Sequence, residues 1–333
     1  MTERRRAVFL GSGAFAVPVL DALAAAPACA LVAVVSAPPR PSGRASVPTR
    51  TPVHARADEL GVLTLTPERL RDPETLRALE RLAPDALVLA DYGQLVPPEI
   101  LALPGRGALN LHPSLLPRHR GASPIPAAIL SGDAETGVSL MLMDAGLDTG
   151  PVMARVRLAL DGTETTPTLE TRLAALAAEL LTASLEPWLD DHLPAVPQPD
   201  GGVTTTRPLH REDGRANPAL GVIRLERMVR AYQPWPGTFF EVEAGRIVIW
   251  AAAVGSMMTE SGARPGMVGQ GPDHVALSGR LVAEGDGLAL EVADGRLCLL
   301  EVQAAGGRRM SSAELRRGRP GLVGSRLVDP SLR

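Results

Sequence analysis

Short apolar runs alternate with segments of helical periodicity along the first 190 residues. Runs that are apolar throughout are typical of parallel strands buried on both faces. The pattern predicts strands at 6–10, 30–35, 62–65, 86–90, 107–112, 137–143 and 152–160, and helices at 15–26, 52–60, 67–82, 123–130 and 166–187. Strands and helices that alternate in this way indicate a doubly wound, Rossmann-like α/β domain.

The pattern changes towards the C-terminus. After a helix that ends in M-V-R-A, short strands are predicted at 238–253, 278–284, 287–293 and 296–303, with glycine turns between them. Such strands are typical of a small β-barrel. A Pro/Gly-rich stretch at 190–202 indicates a linker, and 333 residues exceed one ordinary core. We therefore expect an N-terminal domain at 1–189, a linker at 190–205 and a C-terminal domain at 206–333.

Composition and cysteine usage favour a cytoplasmic protein. The hydrophobic content of 45% is that of a globular chain, and Cys29 and Cys298 lie far apart in apolar surroundings. Two free thiols are a better interpretation than a disulfide. Arginines precede an apolar stretch near the N-terminus, but glycines interrupt that stretch and a strand follows, so a signal peptide is disfavoured. No run approaches a membrane span of about 18 apolar residues.

The charge is unevenly distributed. The chain carries a net charge of -3, yet residues 206–333 are net positive and residues 1–205 are net negative. A basic C-terminal end suits a nucleic-acid-binding accessory domain. A solvated terminal face is the alternative interpretation.

The chemistry is concentrated at 107–126, which read G-A-L-N-L-H-P-S-L-L-P-R-H-R-G-A-S-P-I-P. Asn110 and His112 lie two positions apart, so on a strand their side chains project from the same face. An amide N–H can stabilise a developing oxyanion, and an imidazole can transfer a proton. Asp148, in the loop D-A-G-L-D-T-G, is the best candidate for a carboxylate partner. Alternatively, Asn110 caps the Pro113 turn and His112 is a core histidine.

The order N-x-H-x-S-L-L-P-x-x-x-G, with a later L-D-T-G, resembles the signature of the formyltetrahydrofolate-dependent formyltransferases. The opening F-L-G-S-G-A-F-A is similar to the family's F-x-G-T-P-x-F-A, with Gly13 at the usual proline. D-Y-G at 91–93 stands where A-Y-G is common, and R-A-Y-Q-P-W-P is similar to a family hallmark. These features match the methionyl-tRNA branch of the family.

The resemblance implies transfer of a formyl group from 10-formyltetrahydrofolate to the α-amine of initiator methionyl-tRNA. It also implies an OB-like C-terminal barrel, a monomer and no metal. The implied catalytic residues are Asn110, His112 and Asp148. The implied folate contacts are Asp91, Tyr92, Gly93, Ser114, Leu115, Leu116, Pro117, Asp144 and Gly146. For Asp91 we favour a position in solvent, and for Asp144 a role as a turn former.

A loop rich in proline and arginine follows the second strand. Its arginines, Arg40, Arg44 and Arg50, are suited to phosphates, and the resemblance implies contact with the tRNA acceptor end. Arg207 stands near a usual lysine of the interdomain segment. A solvated surface loop is the alternative interpretation.

Several further positions carry weaker expectations. Arg118 and Arg120 suit either phosphates or salt bridges, and we assign no catalytic role to His119, which replaces a usual tryptophan. Trp235 and Phe239 are expected in the core rather than as base-stacking platforms.

Two other functions are compatible with parts of the sequence. The same chemistry can serve an amino sugar nucleotide or glycinamide ribonucleotide, but the arginine loop and the basic C-terminal end argue against these acceptors. A tRNA- or folate-binding protein without catalysis is the other alternative. The intact set of Asn110, His112 and Asp148 argues against it.

Overall fold

The structure is a computed structural model that describes residues 4–42, 47–257 and 279–328. The chain forms two compact units. The first contains Met1–Ala128, Ala134–Asp161 and Thr168–Pro208, and the second contains Ile129–Asp133, Gly162–Pro167 and Leu209–Arg333. None of the helices described is long and apolar enough to cross a membrane.

The first unit is built on a mostly parallel sheet. Its described strands are β1 (Arg5–Gly11), β2 (Cys29–Val35), β3 (Arg40–Ser42), β4 (Val47–Thr49), β5 (Thr64–Leu65), β6 (Ala86–Ala90), β7 (Ala108–His112), β8 (Arg120–Gly121), β9 (Glu135–Leu142), β10 (Val152–Ala159) and β11 (Thr205–Thr206). The main sheet has the order β10-β9-β7-β6-β1-β2-β5. β9 and β10 are antiparallel to their neighbours, and the other strands of this sheet are parallel. The predicted doubly wound domain is confirmed.

Six helices connect the strands in the described part of this half of the chain. They are α1 (Ala16–Ala25), α2 (Pro52–Glu59), α3 (Pro73–Leu82), α4 (Pro98–Leu101), α5 (Pro124–Ser131) and α6 (Thr166–Leu189). The predicted helix at 67–82 begins only at Pro73, because proline fits the first helical position, where its missing N–H is not needed. At α2 the Thr51 side chain accepts a hydrogen bond from the His54 backbone N–H and so caps the helix.

The strand order creates a crevice at the carboxyl ends of the parallel strands. The chain runs from β1 to β2 on one side of β1, whereas β6 and then β7 lie on its other side. Ligands of open α/β sheets bind at the carboxyl ends of the strands, beside such a reversal of strand order. All five residues of β6 are buried, which explains its continuous apolar sequence. The buried strand β6 pairs with β7, so the polar residues of β7 lie at the same carboxyl end of the sheet.

The second unit is an antiparallel sheet. Its described strands are β12 (Thr238–Val242), β13 (Gly245–Met257), β14 (Leu281–Glu284), β15 (Gly287–Val292), β16 (Gly295–Ala304) and β17 (Met310–Ser311), and its helices are α7 (Val222–Ala231) and α8 (Ser312–Gly318). Short 3-10 helices lie at Arg211–Gly214, Pro218–Leu220 and Pro320–Leu322. The sheet order is β12-β13-β16-β15-β14, and β17 pairs with β16.

The last described residues connect the two edge strands of this sheet. The Leu281 N–H of β14 donates to the Ser325 oxygen at 2.9 Å, and the Val328 N–H donates to the Glu241 oxygen of β12 at 2.8 Å. Because hydrogen bonds now run from one edge strand to the other, the sheet closes on itself. This closure agrees with the predicted barrel.

One expectation for this unit was wrong. Phe239 is buried as predicted, but Trp235 is 52% exposed. The neighbouring Tyr232 and Gly237 are buried, and the Gly237 N–H donates to the Tyr232 oxygen at 2.9 Å. The turn is therefore anchored at both ends, and the side chain at its tip projects outwards.

Candidate active site

Strand β7 presents the two polar residues that the sequence singles out. Leu109 and Leu111 are fully buried, and Asn110 and His112 alternate with them, so both point to the opposite face, as predicted. Asn110 pairs with Leu89 of β6 and with Met141 of β9. His112 is 5% exposed, whereas Asn110 is half-buried. The amide is the more accessible of the two groups.

Asp148 lies beside both of these side chains. Its Oδ1 accepts a hydrogen bond from Asn110 Nδ2 at 3.3 Å, and its Oδ2 accepts one from the Gly121 N–H at 2.7 Å. Oδ2 also lies 3.6 Å from His112 Nδ1, which is an ion-pair distance rather than a hydrogen bond. The three residues predicted to act together are thus brought together. Asp148 has a φ of 53°, a left-handed conformation that few residues other than glycine adopt.

The orientation of His112 is set by a backbone group. Its Nε2 lies 2.9 Å from the carbonyl oxygen of His119. A carbonyl only accepts, so Nε2 carries a proton and Nδ1 faces Asp148. Nδ1 is therefore the atom that can gain or lose a proton while the ring stays in place. His119, to which we assigned no catalytic role, contributes this carbonyl from a buried position with a φ of 55°.

The loop that follows β7 is braced internally. Ser114 is fully buried, and its hydroxyl donates to the Arg118 oxygen at 2.6 Å. The Leu116 N–H donates to Ser139 Oγ at 3.0 Å, and that hydroxyl donates to the Ser114 oxygen at 2.7 Å. Ser114 and Leu116 thus hold the loop in shape, while Leu115 and Pro117 are half-buried at its surface. A folate contact of these four residues stays a prediction.

The loop from 144 to 150 is held by Asp144, as the turn-former interpretation expected. Its Oδ1 accepts from the Gly146 N–H at 3.0 Å and from Thr149 Oγ1 at 2.7 Å. Asp144, Gly146 and Leu147 are exposed, so this loop forms an open rim next to Asp148.

Asp91 follows β6 at the crevice. Its side chain has room there because the residue opposite is Gly13, which lacks a β-carbon. The residue is exposed, as we favoured, yet desolvation by the surrounding protein raises the pKa of its carboxyl. Burial and the nearby Asp91 also raise the pKa of Glu170, whose Oε1 accepts from the Phe15 N–H at 3.2 Å. Two acidic groups therefore lie near the start of α1.

Tyr92 and Gly93 differ sharply in their surroundings. Tyr92 is 6% exposed, and its hydroxyl has no hydrogen-bond partner among the described residues. Burial raises the pKa of Tyr92 to about 12. At Gly93, with a φ of 80°, no described atom lies within 4 Å of the place of a β-carbon. The Tyr92 side chain therefore belongs to the apolar core, with Leu70 and Val96, whereas the space beside Gly93 is open.

Metal ligands do not cluster in the part of the chain that the structure describes. No group of three or more His, Cys, Asp or Glu side chains there is arranged to hold a metal ion. The described site consists of an amide, an imidazole and a carboxylate.

Known proteins match the chain along most of its length. The family described as formyl transferase matches residues 4–185, and the family described as formyl transferase, C-terminal domain, matches residues 209–320. The methionyl-tRNA formyltransferase of Roseiflexus castenholzii is 41% identical over 313 residues, which cover 94% of this chain and 96% of that protein. The chain belongs to the methionyl-tRNA formyltransferase family. The family member of Paramagnetospirillum magneticum is 41% identical over 314 residues, covering 93% of this chain and 96% of its own.

Solved structures of more distant proteins share the fold of this methionyl-tRNA formyltransferase family member. HypX from Aquifex aeolicus in complex with tetrahydrofolic acid matches with a TM-score of 0.58 at 15% identity, covering 94% of this chain and 47% of that chain. A sugar N-formyltransferase from Shewanella sp FDAARGOS_354 matches with a TM-score of 0.58 at 15% identity, covering 74% of this chain and 96% of that chain. At such identities the likeness shows the fold alone.

Three of the arginines predicted for tRNA binding in this family member are described, and all three are exposed. Arg40, on β3, is 3.7 Å from Glu68 Oε2, and Arg50 is 2.9 Å from Asp58 Oδ2. Arg207 is exposed, and its Nη1 donates to the Pro208 oxygen at 2.9 Å. Arg44 lies outside the described residues.

Arg120 makes a contact that the sequence did not predict. Its Nε and Nη2 donate to Oε1 of Gln198, at 3.1 and 2.8 Å. Gln198 lies in the stretch predicted as a linker, where composition gives no signal for an individual side-chain contact. The same stretch continues to Thr204, whose oxygen accepts from the Arg120 N–H at 2.9 Å. Neither residue was predicted from the sequence.

Proposed function

We propose that this protein transfers the formyl group of 10-formyltetrahydrofolate to the α-amine of initiator methionyl-tRNA. The observation that carries the proposal is the meeting of Asn110, His112 and Asp148 in one site, in a chain whose relatives are named methionyl-tRNA formyltransferases. A fold neighbour in complex with tetrahydrofolic acid supports a folate as the donor. We further propose that the protein is a monomer and that it is cytoplasmic, since the free cysteines, Cys29 buried and Cys298 half-buried, suit a reducing compartment.

The residues at the carboxyl ends of β6 and β7 fit a folate donor, which supplies a formyl carbon bonded to nitrogen. The open space beside Gly93 suits a ring, and Tyr92 supports this end of β6 from the apolar core. Leu115, Pro117 and Gly146 line the rest of the proposed pocket. Ser114 and Leu116 support it by bracing the loop, and Asp144 does so by holding its turn. Asp91, an exposed residue whose carboxylate lies against Gly13, is placed at the edge of the pocket.

Asn110 is proposed to stabilise the negative charge that develops on the formyl oxygen. Its Nδ2 carries two hydrogens, and Asp148 Oδ1 accepts only one of them. The second hydrogen remains for the substrate. A donor fixed before the reaction needs no reorganisation, and removing one such donor typically lowers kcat by about 100- to 1,000-fold.

Asp148 and His112 are proposed to move the proton. As the amine nitrogen bonds to the formyl carbon, that carbon loses its bond to the donor nitrogen, and one proton passes from the amine to the donor nitrogen. Hydrogen bonds from the Gly121 N–H and from Asn110 orient the Asp148 carboxylate towards the reacting nitrogens. His112 adds Nδ1 as a proton-exchanging atom, while Nε2 keeps the ring in position.

Arginines of the first unit are proposed to bind tRNA phosphates. The side chains of Arg40 and Arg50 are 75% and 62% exposed. Exposed ion pairs contribute only about 0–1 kcal/mol, so phosphates can replace these carboxylate partners at little cost. Arg44 and Arg207 complete the proposed set.

The second unit is proposed to bind tRNA as well. The guanidinium of Arg309 lies over the ring of Trp250, 3.3 Å from the ring centroid, and Arg309 is exposed. Trp235 offers an exposed indole on the same unit. Stacked arginine and free aromatic faces are the groups that bind phosphates and unpaired bases.

The test is formyl transfer from 10-formyltetrahydrofolate to charged initiator methionyl-tRNA, with uncharged tRNA and an amino sugar nucleotide assayed in parallel. We expect transfer to the charged tRNA alone. Transfer only to the amino sugar nucleotide would overturn the proposed acceptor, and binding of both substrates without transfer would overturn catalysis.

A matched pair of variants tests the assigned site. Asn110→Ala is expected to lower kcat by at least about 100-fold. Asn217→Ala is the control, because Asn217 is the other asparagine of the chain and only caps the Ala219 N–H, at 3.0 Å. It should keep the wild-type kcat. Near-full activity of Asn110→Ala would refute the role of the amide.

A further inference from the structure

Gln198 uses every hydrogen-bonding group of its side chain within the first unit. Its Nε2 donates to the carbonyl oxygens of Asp148 and Gly150, both at 2.8 Å. Its Oε1 accepts the two bonds from Arg120. An amide has two N–H hydrogens and one oxygen, so this side chain is fully engaged.

We propose that Gln198 is a positioning residue that holds Asp148 in its reactive orientation. This inference rests on the proposed function. Gln198 contacts none of the reacting atoms assigned above. It acts through the backbone of Asp148, which does contact them.

The backbone of Asp148 needs such support. It adopts a left-handed conformation on a loop whose residues 144–147 and 149 are exposed. The described side-chain bonds inside that loop join Asp144 to Gly146 and Thr149 and leave the Asp148 carbonyl free for an outside donor. Gln198 Nε2 is that donor.

The contacts of Gln198 close a ring around the carboxylate. Arg120 is followed directly by Gly121, whose N–H donates to Asp148 Oδ2 at 2.7 Å. Gln198 therefore binds the carbonyl of Asp148 directly. It also binds the side chain of Arg120, the neighbour of the Gly121 that binds the Asp148 carboxylate. These contacts together hold the backbone of Asp148 in position and orient its carboxylate.

The segment that carries Gln198 is itself anchored. Val196 exchanges two backbone hydrogen bonds with Val152, at 2.8 and 2.9 Å. Pro197 and Pro199 flank Gln198 and restrict the backbone around it. These neighbours are exposed, whereas Gln198 is half-buried, so its side chain is the one that faces the loop.

The first experiment measures kcat and KM of wild type, Gln198→Ala, Gln198→Glu and Asp200→Ala for both substrates. Glutamate retains an oxygen for Arg120 but offers no hydrogen to the carbonyls of Asp148 and Gly150. Since misplacement of a catalytic group by about 1 Å lowers the rate about 100-fold, we expect both Gln198 variants to lose roughly 10- to 100-fold in kcat. KM should change little. Asp200→Ala, an exposed change in the same segment, should match the wild type.

Two outcomes of this experiment would overturn the inference. A wild-type kcat in Gln198→Ala is one. The other is a wild-type kcat in Gln198→Glu with a loss only in Gln198→Ala, because the contact with Arg120 would then be sufficient and the role merely structural.

A double-mutant cycle tests whether Gln198 acts through Asp148. If it does, Gln198→Ala lowers kcat in the wild type but by less than about twofold in an Asp148→Asn background, since coupled residues are not additive. The same fold loss in both backgrounds would refute the inference.

Hydrogen exchange keeps this inference separate from the proposed function. We expect faster amide exchange across 144–150 in Gln198→Ala than in Asp200→Ala, whatever the acceptor is. Equal exchange would overturn the inference even if the wild type formylates methionyl-tRNA. Failure of the wild type to formylate would instead overturn the proposed function.

Discussion

The carboxylate of Asp91 lies against the α-carbon of Gly13, in the space that a β-carbon at position 13 would need. The turn after β1 and the end of β6 are also joined through the backbone, because the Ser12 N–H donates to the Asp91 oxygen at 2.9 Å. Both residues depart from the pattern that the sequence otherwise resembles, in which proline stands at 13 and alanine at 91. One departure makes room for the other.

This contact predicts that substitutions at the two positions are coupled. Gly13→Ala should lower the free energy of unfolding by about 1 kcal/mol, because the Asp91 side chain must move. In an Asp91→Ala background the same change should be neutral or stabilising by up to about 1 kcal/mol. Urea unfolding of the four proteins measures the coupling. Equal effects of Gly13→Ala in both backgrounds would show that the contact carries no energy.

The unpaired hydroxyl of Tyr92 predicts a stabilising substitution. Because a buried hydroxyl without a partner costs about 1–3 kcal/mol, Tyr92→Phe should raise the free energy of unfolding by roughly 1 kcal/mol. Because the hydroxyl is enclosed in the apolar core, the variant should bind the folate donor as the wild type does. Thermal unfolding measures the stability, and titration with the donor measures the binding. A less stable Tyr92→Phe would mean that the hydroxyl has a partner in solution.

Asp148 predicts different outcomes for two substitutions. Asp148→Asn removes the charge facing His112 but tolerates the left-handed backbone, so we expect kcat to fall by about 100- to 10,000-fold with little change in stability. Asp148→Ala should lose as much activity and, in addition, about 1–2 kcal/mol of stability from backbone strain. Steady-state kinetics and urea unfolding distinguish the two. More than a tenth of the wild-type kcat in Asp148→Asn would argue against a catalytic carboxylate.

The two cysteines should react unequally with a thiol reagent. Cys29 is fully buried, and burial raises its pKa to about 11, so at pH 8 about one in a thousand of these thiols is ionised. Cys298 is half-buried, and its pKa is also raised by burial. In the native protein we expect slow reaction at Cys298 and none at Cys29, with both reacting after denaturation. A native Cys298→Ser variant that still reacts would contradict the buried position of Cys29.

Most of the fold was predictable because local periodicity reports it. Uninterrupted apolar runs predicted the parallel strands, and β6 is buried throughout as such a run requires. The period of two on β7 predicted that Asn110 and His112 share a face. The choice of Asp148 as their partner came from residue chemistry and from the family resemblance.

Features that depend on contacts between residues distant in sequence, or on backbone atoms, could be seen only in the tertiary structure. His119 orients His112 through a carbonyl that every residue possesses, so its side chain gave no signal. Gln198 reaches Asp148 across 50 residues and Arg120 across 78, from a stretch whose composition indicates only a linker. The exposure of Trp235 likewise depends on how the turn ends are anchored. Local periodicity and residue chemistry were sufficient to predict the elements and the reactive groups, whereas packing between segments distant in the chain sets which groups hold them in place.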